Sequence, residues 1–235
     1  MTGAGSGHGL ADSLSYTEWR QRWPGFIVAK DTETAVVHLE RYYAELGDGQ
    51  PCYTGSRFES VAALNTDPDT LGPADFVAVS MLSVKVRAQA ALRLLSRDAA
   101  EISRLLAQIP ADVDIVDAEP TLLRGDSPAG QLWALLRGGR DGLGRTTTSK
   151  LLAVKRPRLL PIWDSFVEEA TGLDTHGNWE KFRYVLTDDD RAVWDWLSGL
   201  RAEVPAVPAM VSELRLLDVL LWMSVEAPLP EPLTR

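Results

Sequence analysis

The sequence holds a single cysteine, Cys52, and only three histidines, His8, His38 and His176. A lone thiol excludes a disulfide within the chain and leaves no set of thiolates for an iron–sulfur cluster. The histidines lie far apart and none has zinc-ligand spacing, so no metal is expected, and no motif calls for another cofactor. No apolar run approaches the roughly eighteen residues of a membrane span. The opening MTGAGSGHGL lacks the apolar core of a signal peptide. These absences predict a cytoplasmic protein with no membrane partner. A Gly-rich phosphate loop with its lysine and hydroxyl is missing, as is a serine-centred nucleophile elbow, which takes support away from kinase, NTPase and common hydrolase readings. Positive charge is scarce overall: the formal net charge of −9 argues against a protein that coats nucleic acid with its whole surface.

What is present is ordinary for a globular chain, with 45% hydrophobic and 24% charged residues over 235 positions. The dominant period is helical. DTETAVVHLERYYAEL opens on Asp31 as a cap and spaces Val36, Leu39, Tyr43 and Leu46 along one face. Further helical runs are RFESVAAL, PADFVAVSMLS, VRAQAALRLLS, DAAEISRLLAQI, SPAGQLWALLRG with Ser127 as cap, NWEKFRYVL, TDDDRAVWDWLSGLRAEV and SELRLLDVLLWMSVE. Thr187 is expected to cap the acidic first turn of TDDDRAVW. Only DVDIVDA, at 112–118, alternates as a strand would. The expectation is an all-α fold: a flexible tail over 1–12, one helical domain over 13–226 of about ten helices, as one body or two lobes around a cleft, and an extended Pro-rich tail over 227–235.

One stretch stands out chemically. Residues 137–158 carry Arg137, Arg140, Arg145, Lys150, Lys155, Arg156 and Arg158 against Asp141 alone, which leaves +6 there and −15 on the rest of the chain. Within it, Gly142 and Gly144 flank Leu143, a pattern that permits a tight reversal while the leucine plugs into a core. The amides of such a turn and the N-terminus of RTTTSKLLAVK would converge on a place that suits a phosphate, with Arg145 and Lys150 adding charge. The plainer alternative is a surface helix with a solvated basic face. Asp164 follows, between RPRLLPIW and SFVEEATG. As a helix cap it would accept amide hydrogen bonds that favour its charged form, and a fixed carboxylate can also stabilise a cation.

GLGRTTTSKLL followed by PIWDSFV resembles the helix-hairpin-helix superfamily of DNA base-excision glycosylases. In that family a Gly-x-Gly hairpin and its helix precede an aspartate segment, and the residue after G-x-G-R stands eighteen positions before the aspartate, the separation of Thr146 and Asp164 here. The likeness covers about residues 127–170. It implies a duplex anchored through Gly142, Gly144, Arg145, Thr146, Thr147 and Lys150, a base flipped into a pocket, and Asp164 stabilising an oxocarbenium-like sugar or activating water. Two departures matter. LLRGGRDGLG replaces the family's shorter L-P-G lead-in, and Thr146 stands where bifunctional members have an attacking lysine, so a monofunctional hydrolase is implied. Lys150, one turn further on, could face the same way. The stretches YTGSRFE and DFVAVSMLSV also resemble uncharacterised bacterial proteins, which imply no mechanism.

The remaining pocket candidates are Trp163, beside Asp164, and Tyr53 and Arg57 in PCYTGSRFE, where Ser56 and Glu59 could form a capping box. Against each stands a plain structural role in core, loop or helix start. Three functions remain in view: a DNA glycosylase-like enzyme of base-excision repair, a non-catalytic DNA-binding protein, and an N-glycosidase acting on a small nucleoside-like metabolite. The residues do not choose the base, the strand state of the substrate or the oligomer.

Overall fold

The computed structural model describes residues 20–229. The tail expected over 1–12 and positions 230–235 of the C-terminal stretch lie outside them. Helix placement follows the caps. Asp31 accepts the Thr34 amide at 3.2 Å and opens α2, Thr32–Tyr43, after a short α1, Gly25–Val28. A 3₁₀ turn, Thr54–Arg57, leads into α3, Phe58–Ala62; α4 is Pro73–Met81, with Pro73 at its first position. Then come α5, Ala88–Leu92, which widens into a π turn over Arg93–Arg97, and α6, Ala99–Leu106. The segment expected to alternate as a strand forms turns instead, and no strand occurs among the described residues.

In the second half, Ser127 accepts the Gly130 amide at 3.2 Å and starts α7, Pro128–Arg137. It is followed by α8, Arg145–Lys155, α9, Ser165–Thr171, α10, Asn178–Glu203, and α11, Glu213–Glu226, capped by Ser212. The protein is all-helical.

Two local expectations are corrected. Thr187 does not cap: its hydroxyl donates back to the Arg183 carbonyl at 2.9 Å, and α10 is broken by a left-handed turn with φ of 52°, 50° and 66° at Asp189, Asp190 and Arg191. Aspartates tolerate that region better than most residues. Long-range pairs hold it, Arg20 to Asp188 at 2.6 Å and Arg191 to Asp117 at 2.7 Å, so tertiary electrostatics override the local capping signal. The capping box of Ser56 and Glu59 is also absent. No side chain caps α3, and Glu59 turns inward to Arg215.

Buried apolar side chains from Trp23 to Met223 form one core cluster. Its most extensive helix pair is α9 on α11, and α11 also packs on α2 and α10. The central helix α11 is buried on nearly every side from Leu214 to Leu221, so Arg215 and Asp218 are carried inward with its leucines. The α4 and α7 helices flank α8. That arrangement brings the start of α9, the middle of α8 and the middle of α11 to one place.

Candidate functional site

The seven residues joining α7 to α8 are built around Arg93 from the π turn. Its guanidinium donates to Asp141 Oδ2 at 2.6 Å, Asp98 Oδ2 at 2.7 Å and the Leu136 carbonyl at 2.7 Å. A Cβ at Gly139 would sit 2.3 Å from Arg93 Nε, so this glycine makes room for the arginine. Gly142 takes φ of 88°, Leu143 is buried, and Gly144 begins α8 with no side-chain cap on its first amides. The residues between α7 and α8 thus leave room for Arg93 at Gly139 and supply its partner Asp141.

The basic segment divides in two. Lys150, Lys155 and Arg156 point inward; Arg156 is nearly sealed, reaching carbonyls of Ile109 and Pro68 and the carboxylate of Asp69. Arg158 pairs with Asp114. Arg137, Arg140 and Arg145 stay exposed, and Arg87 lies against Gly142. None of these four has a carboxylate partner among the described residues. The patch is thus arginine-only, centred on the turn, and smaller than the sequence count.

Behind α8 lies a cavity of about 440 Å³, within the range of small-molecule sites. Thr146 and Lys150, one helical turn apart, face it together with Asp164. Ser149 fixes the incoming segment by accepting the Trp163 amide at 2.7 Å. Asp164 then caps α9, its Oδ1 accepting the Phe166 and Val167 amides at 3.1 Å each, while Oδ2 meets Lys150 Nζ at 3.0 Å. Lys150 also donates to the Leu82 carbonyl at 3.0 Å. Helix cap and buried ion pair are the same carboxylate. It cannot turn without losing three charge-favouring contacts.

The opposite wall is aromatic. Tyr53 stacks on Tyr42 with centroids 5.4 Å apart and planes 7° from parallel, Trp222 stands edge-on to both, and Phe166 lies 5.6 Å from Trp222. Below this wall, Arg215 Nε donates to Glu59 at 3.0 Å, and Nη2 to the Tyr42 hydroxyl at 2.6 Å and the Gly55 carbonyl at 2.9 Å. Its Nη1 grips Asp218. Gly55 is obligatory here, because a Cβ would fall 2.1 Å from the Tyr42 hydroxyl. Burial raises the Glu59 carboxyl, with Arg215 opposing. Burial likewise pushes Asp218 up to about 6, the Asp164 charge adding to the rise and Arg215 and Lys150 pulling against it.

Of the residues singled out from sequence, Asp164, Lys150, Thr146 and Tyr53 meet at the cavity. Gly142, Gly144 and Arg145 lie on the neighbouring turn and helix start, and Thr147 is buried in α8. Trp163 does not line the cavity: it is buried, its Nε1 donates to the Leu173 carbonyl at 2.7 Å, and the Arg145 guanidinium covers its ring. Arg57 is spent outside, on Glu45. The sequence reading missed Tyr42, Phe166, Arg215, Asp218 and Trp222. Its available signal was two charges three residues apart within the apolar run of α11. The stretches 53–59 and 75–84 supply Tyr53, Thr54, Gly55, Met81, Leu82, Ser83 and Val84 to the lining, of which only Tyr53 was singled out from sequence. Among the described residues no group of histidines, cysteines and carboxylates could hold a metal, and no helix is long and apolar enough to cross a membrane.

An all-helical fold with a carboxylate-lined cavity beside an arginine-bearing turn is the class of molecule described so far. The chain belongs to a family of unknown function (DUF6308), whose model matches residues 35–225. That span includes every cavity residue except Glu226. No curated protein and no solved structure matches the chain.

Proposed function

We propose that this protein hydrolyses an N-glycosidic bond in DNA, releasing a modified or unusual base, with α7, its turn and α8 acting as the helix-hairpin-helix anchor. The observation that carries the reading is the convergence of Thr146, Lys150 and Asp164 on one aromatic-walled cavity. Cleavage of a glycosidic bond develops positive charge on the sugar, and a carboxylate immobilised in advance stabilises that charge without reorganising. Asp164, held by two amides and an ammonium, meets that need. Tyr53, Phe166 and Trp222 offer faces and edges on which an extruded base stacks. The arginines at the turn, without carboxylate partners among the described residues, supply phosphate contacts close to the cavity. With threonine at 146 and the Lys150 ammonium engaged by Asp164 and the Leu82 carbonyl, hydrolysis is the expected chemistry rather than a Schiff base.

The test is mass-spectrometric detection of bases released from a panel of damaged and modified duplexes, with Asp164→Asn alongside. Wild type should release one base, and the variant should be slower by at least ~100-fold, the scale of a lost electrostatic group. A variant as fast as wild type removes Asp164 from the chemistry. Binding of duplex that weakens steeply with salt, without product, would instead make the protein a non-catalytic DNA-binding module.

A second reading has its own observation. The inward turn of Lys150, Lys155 and Arg156, and the facing of Asp218 and Glu226 into the cavity, favour a small nucleoside over a polyanion. Turnover of free nucleosides with no salt-dependent duplex binding would select it.

A further inference from the structure

Two carboxylates that are held differently share this cavity. Asp164 has both oxygens engaged, Oδ1 by two amides and Oδ2 by Lys150. Asp218 reaches the same cavity from α11, and only its Oδ2 is gripped, by Arg215. Its Oδ1 accepts no hydrogen bond from the described residues, yet it is not among the sealed polar atoms that lack a partner. One oxygen of a nearly buried, cavity-lining carboxyl is therefore left without a donor among the described residues. The α9 and α11 packing, the most extensive in the protein, fixes the two carboxylates relative to each other.

We propose that Asp218 is the general acid of this site, protonating the departing base while Asp164 stabilises the sugar cation. The inference rests on the N-glycosidase reading. In the step, the C–N bond breaks and its electron pair goes to the base nitrogen. The Asp218 carboxyl proton passes to the base, and water adds to the anomeric carbon. The proton that water loses returns to the Asp218 carboxylate, so one water is consumed and the acid is restored. The division of labour follows from the surroundings. Asp164 sits among donors, whereas Asp218 answers to one arginine that it shares with Glu59, Tyr42 and a carbonyl. The charged and titratable groups around Asp218 are Arg215 and Glu226 on its own helix, Asp164 at the start of α9, Lys150 on α8, Glu59 on α3, and Tyr42 and Tyr43 on α2. Burial and the Asp164 charge keep the carboxyl protonated up to about pH 6, so the acid form is available at mildly acidic pH and is depleted above it.

The experiment uses the full chain in two arms. In the first, carbon-13 NMR follows the Asp218 carboxyl through a pH titration in wild type and in Asp164→Asn. A midpoint near 6 that falls in the variant is expected. A midpoint below about 4.5, in the ordinary carboxylate range, overturns the proposal whatever the activity. In the second, kcat/KM for base release is followed against pH on the duplex that wild type cleaves in the panel. Wild type should lose rate as pH rises through about 6. Asp218→Asn should be slower by ~100-fold or more and lack that limb, because general-acid contributions are typically of that size. Circular dichroism and an unchanged KM check that the variant is folded. An Asp218→Asn enzyme with the wild-type rate and limb would overturn the general acid while leaving base release, and the glycosidase reading, intact. A wild type that releases nothing from any duplex or nucleoside overturns both.

Discussion

Single atoms decide much of this site. Arg215 is the cation about which the cavity floor is assembled: Glu59, Asp218, the Tyr42 hydroxyl and the Gly55 carbonyl all answer to it. Its guanidinium also lies over the Tyr42 and Phe58 rings, each 5.4 Å from the centroid. Replacing a buried pair by apolar residues can be neutral, but removing one partner leaves the other charge in a low dielectric. Arg215→Met should therefore cost about 3–5 kcal/mol in urea unfolding, because two carboxylates lose their counter-charge at once. Arg215→Lys should not restore stability. A compact ammonium cannot reach four acceptors in the fork geometry that the guanidinium uses. A loss below about 1 kcal/mol for Arg215→Met would mean that Glu59 and Asp218 are already neutral in the folded protein.

At the scale of elements, what could be read in the sequence and what could not separate cleanly. Helices with a local signature were legible: Asp31, Ser127 and Asp164 each cap the helix that follows, because capping depends on residues within one turn. Features set by distant partners were not. The left-handed break at 189–191 depends on Arg20 and Lys30, more than 150 residues away, and the sense of the basic segment depends on which side of α8 faces the core. Part of the candidate site was visible because it is contiguous, from Thr146 to Asp164; the rest comes from Tyr42 on α2, from residues 53–55 and 81–84, and from α11, whose relation to α8 only packing reveals. The α7–α8 turn shows the same mixture. Its glycines announce a reversal, but Arg93, whose guanidinium ties Asp141 of the turn to Asp98 and to the Leu135 and Leu136 carbonyls of α7, gave no local sign. Arg93→Met should consequently loosen a specific element. Amide exchange over residues 138–144 should accelerate well beyond that of α11, and duplex affinity should fall with it if the turn is the anchor. Uniform acceleration across all helices would show instead that Arg93 supports global stability alone.

At the scale of the whole molecule, the acidic balance sets how stability follows pH. The carboxyls of Asp98 and Asp141 are held below the ordinary aspartate value, Asp98 first by its hydrogen bond with Arg97 and then by Arg93, and Asp141 first by Arg93. A depressed folded value means that the unfolded chain binds protons first as pH falls. Their contribution is thus complete above about pH 5 and is lost as pH drops through the unfolded and then the folded values. Asp218 has the opposite sign. Its folded value, raised to about 6, makes the folded state the better proton binder between the unfolded value near 3.8 and 6, so this group stabilises as pH falls through that window. The two effects separate by mutation. The stability difference between wild type and Asp141→Asn should be constant from pH 8 down to about 5 and then shrink toward zero in more acid solution. The difference between wild type and Asp218→Asn should move toward wild type as pH is lowered from about 7 to 5. Urea midpoints at half-unit pH steps would record both. Parallel curves for the two variants would mean that Asp218 titrates as an ordinary carboxylate, and the asymmetry between the two cavity aspartates would then have no basis in their protonation.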